Sequence, residues 1–210
     1  SALRLLMATV ARTAATHDRC IIPLLSSWDS HHIRVSVKVH RSIQAANVLE
    51  DQLGWRVAMP TIEELQASCE AGLNPQGNEG EQPFCLLPFS HPVRRDDRRI
   101  SGPLWTGPLF DQDVLASMTV ERAVALCGET AEPAVRHWMD EAELATVPSL
   151  IITDMLPKFC EVTGPPKIVD LVTGLKEAGY KAAVARWGAP AIRTDAPWPI
   201  VLKTTEACFD

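Results

Sequence analysis

The sequence predicts a protein of mixed α/β class, and three observations support this. An apolar stripe with helical spacing opens the chain, a segment with strict period-two alternation follows it, and the C-terminal third alternates short strands with helices. The 210 residues, 46% of them apolar and 22% charged, suffice for one or two small domains. This composition excludes a wholly disordered or fibrous protein.

A helix and two strands form the first part of the chain. Apolar residues recur with helical spacing and predict a helix over residues 3–16: Leu3, Leu6, Met7, Val10 and Ala14. Residues 20–25 are mostly apolar and predict a buried strand. Residues 33–40 alternate apolar and polar side chains and predict the clearest strand of the chain.

The polar face of that second strand carries Arg34, Lys38 and His40. Such a face is most often simply solvated on a half-buried strand. The alternative is a surface that faces phosphate groups, because two of the three side chains are cations.

The next segment is predicted as a helix, a short strand and a loop. Residues 42–53 have helical spacing and end at Gly54, the usual position of a C-terminal glycine, before a strand over 55–58. Residues 72–83 hold three glycines and almost no apolar side chain, which predicts a loop or a disordered insertion. The mixed-sign run Arg94-Arg95-Asp96-Asp97-Arg98-Arg99 favours a self-compensated, solvated turn over an RNA-contacting loop.

The C-terminal part combines helices with a hairpin. Residues 111–127 and 133–145 are predicted as helices, residues 150–152 as a strand, and Thr153-Asp154 as the cap of a short helix. A helix over 167–178 then ends at Gly179, and strands are predicted over 180–187 and 191–194. Strand, helix, turn, helix and hairpin is the order of a winged-helix-like unit.

The charge of the chain excludes one class of nucleic-acid-binding protein. A net charge of −6 and a pI near 5.5 exclude a uniformly basic polyanion-coating protein, and residues 111–149 hold two basic residues against eight acidic ones. A nucleic-acid surface would therefore use the two ends of the chain.

Six scattered cysteines favour reduced thiols in an intracellular protein, and no apolar run approaches the ~20 residues that span a bilayer. We expect an intracellular location of unresolved compartment and no membrane association.

Enzyme and metal signatures are missing from the sequence. The chain has no Gly-x-Gly-x-x-Gly, P-loop, Gly-x-Ser-x-Gly or His-Glu-x-x-His motif. His31 and His32 are adjacent on a predicted strand and point to opposite faces, and Cys69 and Cys85 offer only two zinc ligands. We therefore expect no metal site.

Several segments, in one order, resemble the tRNA (guanine-N2-)-dimethyltransferase family, whose members methylate guanosine 26 of tRNA. Five blocks carry the resemblance: Leu3-Arg4-Leu5-Leu6, Ile22-Pro23-Leu24-Leu25-Ser26, Ile33 to Val39, Gly102-Pro103-Leu104-Trp105, and the closing motifs Pro165-Pro166, Ala178-Gly179-Tyr180-Lys181-Ala182 and Ala191 to Pro197. Residues 183–187 depart from the family's polar stretch and keep only Arg186 as a cation. Met59-Pro60 stands where many members have cysteine pairs, which argues against the family's zinc site here.

The resemblance implies the C-terminal half of such an enzyme. The family's cofactor strands and its Asp-Pro catalytic motif precede the opening helix, no Asp-Pro pair occurs here, and the chain starts at Ser1 rather than Met. Residues 1–58 are then expected to form the closing edge of a class I (Rossmann-like) methyltransferase sheet, 59–110 a variable loop or linker, and 111–210 an α+β tRNA-binding domain with a winged-helix-like end. We expect S-adenosyl-L-methionine to bind the missing half, and no catalytic, cofactor-binding or metal residue in this chain.

The expected partner is tRNA, with no protein partner predicted. Six cations at the two ends of the chain are the predicted tRNA contacts: Arg34, Lys38, Arg41, Lys181, Arg186 and Arg193. The rival hypothesis is a stand-alone winged-helix-like RNA-binding or interaction module without catalysis.

Overall fold

The computed structural model describes residues 2–29, 32–94, 96–186 and 189–209, with Asp29 and Arg186 described in their backbone only. Helix α1 (Ala2–Ala15) confirms the predicted opening helix, and its buried face includes Leu3, Met7 and Ala11. Strands β1 (Arg19–Asp29) and β2 (His32–Arg41) form an antiparallel two-stranded sheet. Strand β1 extends beyond the predicted apolar segment 20–25 at both ends.

The helix predicted over 42–53 is wrong in its extent. Ser42 caps a short helix α2 (Ile43–Asn47), and a 3₁₀ turn, Leu49–Gln52, follows it. Strand β3 (Leu53–Ala58) begins before the glycine expected to end the helix. Gly54 serves the strand instead, because a Cβ there would overlap the carbonyl oxygen of Leu87 and lie 2.7 Å from the methyl group of Thr106.

The region predicted as a variable linker, residues 59–110, is instead built of regular elements. Helix α3 (Ile62–Glu70) starts with a capping box formed by Thr61 and Glu64. Strands β4 (Phe84–Pro88) and β5 (Ile100–Trp105) both pair with β3, in the order β4-β3-β5. Strand pairing therefore crosses the expected boundary at residue 58, because β3 needs partners on both of its edges.

Residues 72–83 form an ordered loop. The loop has no helix or strand, as predicted, but three of its four amide side chains, those of Asn74, Gln76 and Gln82, are buried and hydrogen bonded. The Gln76 side chain donates to the Thr194 carbonyl at 2.9 Å, and the Gln76 carbonyl accepts from the Trp198 N–H at 2.8 Å. These bonds replace the apolar contacts that the loop lacks.

Three helices and a C-terminal unit complete the chain. The helices are α4 (Gln112–Ser117), α5 (Val120–Cys127) and α6 (Glu132–Ala142), so the predicted helices are confirmed but the first is broken at Met118. The C-terminal unit comprises β6 (Ile151–Ile152), a 3₁₀ turn, Thr153–Lys158, α7 (Ile168–Glu177), β7 (Ala182–Arg186), β8 (Pro190–Thr194) and α8 (Trp198–Ala207). Its strands form an antiparallel sheet in the order β6-β8-β7. Trp187, the predicted end of the first hairpin strand, lies outside the described residues.

The two largest of the apolar clusters among the described residues draw on separate parts of the sequence. One unites α1, the first hairpin and the segment around Trp105, Leu109 and Phe110; the other lies within the C-terminal unit around Leu171, Leu175 and Trp198. The described chain thus mixes α-helices with three small antiparallel sheets. None of its described helices is long and apolar enough to cross a membrane.

Candidate nucleic-acid interface

The first predicted contacts, Arg34 and Lys38, lie exposed on the same face of β2. Their intervening neighbours Val35 and Val37 turn to the opposite face and pack against the core that includes α1. The alternation of β2 therefore places apolar side chains inward and fixes both cations outward. Four residues of strand set these two cations roughly 13 Å apart along the sheet.

Arg41 lies at the open end of the hairpin and faces another cation. In the β1–β2 register, Arg41 is directly opposite Arg19, and both residues are exposed. Like charges directly opposite one another on a sheet destabilise it, which makes this end of the hairpin a favourable place for an anion. Arg19 was not among the cations predicted from the sequence. It could have been found from its position, because the start of the first strand of an antiparallel hairpin pairs with the end of the second.

The exposed cations of the hairpin are free of ion pairs within the described part of the chain. The ion pairs found there join other residues: Arg94–Asp96, Arg99–Glu64, Arg99–Asp97, Arg136–Glu132, His137–Glu141 and Arg193–Glu141. Arg19, Arg34, Lys38 and Arg41 therefore offer charge that no described carboxylate compensates.

The mixed-sign run between Arg94 and Arg99 behaves differently from the hairpin. Arg94 pairs with Asp96 at 2.8 Å, and Arg99 pairs with Asp97 at 2.8 Å. The Glu64 and Asp97 carboxylates raise the pKa of Arg99. The predicted self-compensated turn is confirmed for these residues, whereas Arg95 lies outside the described residues.

The contacts predicted near the C-terminal end are divided between surface and interior. Lys181 is exposed just before β7, and its backbone N–H donates to the Asp195 carboxylate at 2.9 Å. The Arg186 side chain lies outside the described residues.

Arg193 does not lie at the surface and requires a correction. It is only 2% exposed, its Nε lies 3.3 Å from Oε2 of the fully buried Glu141, and its Nη1 donates to the Val147 carbonyl. Burial lowers the pKa of Arg193, and Glu141 offsets part of that effect. The physical reason for the error is that β8 is buried on both faces: its residues from Ala191 to Thr194 are all buried, so neither direction of strand alternation leads to solvent.

A cavity of about 410 Å³ connects the hairpin to the C-terminal unit. Trp28, near the end of β1, and Ala189, just before β8, both line it. Residues of the first hairpin and of the segment just before β8 therefore meet at this cavity.

No group of three or more potential metal ligands occurs among the residues that the structure describes. Cys20 Sγ and His40 Nε2 lie 2.9 Å apart and form an isolated pair. Burial raises the pKa of the Cys85 thiol to about 12, with a smaller contribution from Glu64, so this sulfur stays protonated and is a poor zinc ligand. His31 lies outside the described residues.

Comparison with known proteins gives one consistent result. The family model for N2,N2-dimethylguanosine tRNA methyltransferase matches residues 1–206. The tRNA (guanine(26)-N(2))-dimethyltransferase of Aeropyrum pernix is 31% identical over 96% of this chain and 46% of its own length, and that of Methanocorpusculum labreanum is 29% identical over 95% and 49%. Trm1 from Pyrococcus horikoshii, solved in complex with S-adenosyl-L-methionine, has a TM-score of 0.72 at 21% identity, covering 96% of this chain and 48% of that one.

The chain spans about half the length of the relatives it matches. Both the sequence matches and the structural likeness extend over nearly all of its residues. The protein is therefore a member of the N2,N2-dimethylguanosine tRNA methyltransferase family.

Proposed function

We propose that this chain is the C-terminal portion of an S-adenosylmethionine-dependent enzyme that methylates N2 of guanosine 26 in tRNA. The family match over residues 1–206 supports this proposal, as does the name shared by its relatives. The rival hypothesis of a stand-alone module is not favoured by these matches.

The residues present do not fit a site for S-adenosylmethionine. In doubly wound folds the cofactor binds at the carboxyl ends of parallel strands, beside a glycine-rich turn. All strand pairs of the described residues are antiparallel, and the sequence has no such turn. We therefore assign no cofactor contact and no catalytic step to this chain.

Its own role is to hold the tRNA backbone. The observation that carries this role is the row of exposed, unpaired cations on the β1–β2 hairpin, with Arg34 and Lys38 on one face and Arg19 and Arg41 at the open end. Phosphate contacts from Lys and Arg fix the register and orientation of a nucleic acid without reading its sequence. Lys181 extends the proposed surface to the C-terminal unit, whereas the buried Arg193 is not part of it.

The hairpin also suits the edge of a larger sheet. It has two strands, and within the described residues neither outer edge is paired. We infer that α1 and the β1–β2 hairpin, within the expected residues 1–58, close a class I methyltransferase sheet, and that the C-terminal unit with its β6-β8-β7 sheet forms a winged-helix-like tRNA-binding end. An open edge of this kind readily accepts another strand.

The test is tRNA binding by the 210-residue chain, measured by filter binding or fluorescence anisotropy. The variant Arg34→Ala, Lys38→Ala, Arg41→Ala, Lys181→Ala should bind at least tenfold more weakly than the parent at low salt. A control with four exposed cations changed elsewhere, Arg98→Ala, Arg122→Ala, Arg136→Ala and Lys203→Ala, has the same net charge. Equal loss of affinity in the two variants, with both still folded by circular dichroism, would show that only net charge matters and would reject the surface.

A further inference from the structure

The cavity between the two halves of the chain is lined by cations as well as by apolar side chains. Its volume of about 410 Å³ falls in the range of about 300 to 1,000 Å³ typical of small-molecule sites. Its walls include leucines from α1, β4 and β5, whereas Arg4, Arg56 and Arg193 bring three guanidinium groups to it. An apolar cavity with a few charged groups is the usual form of a site for an organic ion.

Arg4 has an unsatisfied group at this cavity. The side chain is 7% exposed, and its Nη1 donates to the carbonyls of Trp105, at 2.9 Å, and Gly107, at 2.8 Å. Its Nη2 is buried and has no hydrogen-bond partner. Burial, and secondly the charge of Arg193, lower the pKa of Arg4 to about 9. A buried charge without a counter-ion is costly, so the site favours an added anion.

The Glu141 carboxylate, which pairs with Arg193, already has two partners. Glu141 accepts from Arg193 Nε at 3.3 Å through one oxygen, and its other oxygen lies 2.9 Å from His137 Nε2. No described carboxylate pairs with Arg4. Arg4 and Arg193 against Glu141 leave at least one uncompensated positive charge at the cavity wall.

The remaining wall suits a flat ring. Arg56 lies over the ring of Phe84, with its guanidinium carbon 4.5 Å from the ring centroid, and both residues line the cavity. The indole of Trp28 borders the same space. Aromatic and guanidinium planes are the surfaces on which nucleobases stack.

We propose that this cavity binds a nucleotide, with its phosphate beside Arg4 and its base against the Trp28 and Phe84 wall. A guanidinium forms strong, charge-assisted hydrogen bonds with phosphate oxygens, and a phosphate at the cavity wall would balance the charge of Arg4. The nucleotide comes either from the free pool or from a tRNA strand. This inference uses other residues than the hairpin surface and does not rest on it.

The test is titration calorimetry of the 210-residue chain with guanosine monophosphate. We expect saturable binding, weakened at least tenfold by Arg4→Gln. Arg12→Gln removes the same charge from an exposed position of the same helix and should leave affinity within twofold of the parent. Because Arg4→Gln also changes a buried residue, Arg56→Gln provides a second variant at a half-buried position and should weaken binding severalfold. Inorganic phosphate should bind at least tenfold more weakly than the nucleotide.

Two results would overturn the proposal: no saturable binding of guanosine monophosphate at millimolar concentration, or equal affinity in the parent and in folded Arg4→Gln and Arg56→Gln. Competition identifies the source of the ligand. If tRNA displaces the nucleotide, the occupant is a nucleotide of tRNA; if both bind together, it is a free nucleotide. The variant Arg34→Ala, Lys38→Ala should retain nucleotide binding, so failure of the hairpin surface and failure of the cavity are distinguishable.

Discussion

Arg193 and Glu141 form an ion pair in the interior, with Arg193 Nε 3.3 Å from Glu141 Oε2 and exposed fractions of only 2% and 0%. The pair joins β8 to α6 across 52 positions of the sequence. Arg193 was predicted as a tRNA contact at the surface, but its ion pair stabilises the interior of the protein.

We predict that Arg193→Ala destabilises the protein by about 3–5 kcal/mol, because it leaves the Glu141 carboxylate buried without its guanidinium partner. Urea denaturation measures the loss. The double variant Arg193→Met, Glu141→Leu should recover most of the stability, since it removes both charges together. A stability of Arg193→Ala within 1 kcal/mol of the parent would contradict a structural role for the pair.

The affinity for tRNA should depend steeply on salt, with single hairpin variants changing the slope. Each phosphate contact releases counter-ions, so Arg34→Ala should reduce the slope of log K against log salt by about 0.7 to 0.9. Arg122→Ala, in the acidic segment, should leave the slope unchanged. The measurement is affinity at four or five salt concentrations, and parallel lines for the parent and Arg34→Ala would exclude a phosphate contact at this residue.

Gly54→Ala should destabilise the protein by about 1–3 kcal/mol, because the added Cβ would overlap the Leu87 carbonyl oxygen in the β3–β4 pair. Gly164→Ala is the matched control, since a Cβ there meets no atom within 4 Å. Gly164→Ala should be neutral or stabilise the protein by about 0.4–1 kcal/mol, because alanine lowers the conformational entropy of the unfolded chain. Thermal unfolding of the two variants checks this contrast, and equal melting temperatures would refute the close approach at Gly54.

The hairpin should be less protected than the C-terminal unit in hydrogen exchange. Its two strands have no further strand partner within the described residues, and Ile33 and Val39 are 37% and 47% exposed. We therefore expect faster exchange over residues 35–39 than in β8, and earlier cleavage within the first 60 residues than between residues 150 and 194. The strongest protection at residues 35–39 in a monomeric sample would instead indicate a self-sufficient N-terminal unit.

Cys85 should resist thiol reagents at pH 8 while the exposed Cys127 reacts rapidly. Burial raises the pKa of Cys85 from an ordinary 9.0 to about 12. The unfolded thiol loses its proton at lower pH than the folded thiol, so this group contributes stability below pH 9 that is lost as the pH rises towards 12. Comparison with Cys85→Ala isolates the effect: the variant should show a shallower loss of stability over this range.

Local patterns predicted some elements well and others not at all. Apolar spacing predicted helix α1 and strand β2. The glycine at position 179 predicted the end of the helix before it, and Gly179 has a positive φ of 89° in the structure. Helix α8 was not predicted, because Pro197 and Pro199 frame its start and its buried residues include Thr205. Proline at the first positions of a helix is compatible with helical structure.

The candidate site was predictable only where exposure follows from strand alternation. Arg34 and Lys38 belong to that class, because β2 has one apolar and one polar face. Arg19 required knowledge of the strand register, and the interior position of Arg193 required the position of Glu141, 52 residues earlier. Buried charges are rare unless paired, and such pairing over long sequence distances leaves no local pattern.

The ordered loop over residues 72–83 has a mechanical consequence. The Gln76 side chain accepts from Ser149 Oγ and donates to the Thr194 carbonyl, and the Glu81 carbonyl accepts from Trp198 Nε1. The loop thereby joins the sheet of β3 to the C-terminal unit through bonds to Thr194 and Trp198, 118 and 117 positions away in the sequence. Rotation of one against the other would break these bonds together, so the loop holds the sheet of β3 and the C-terminal unit in one relative orientation. For the tRNA surface proposed above, a fixed orientation of these two parts would favour RNA whose phosphate spacing matches it.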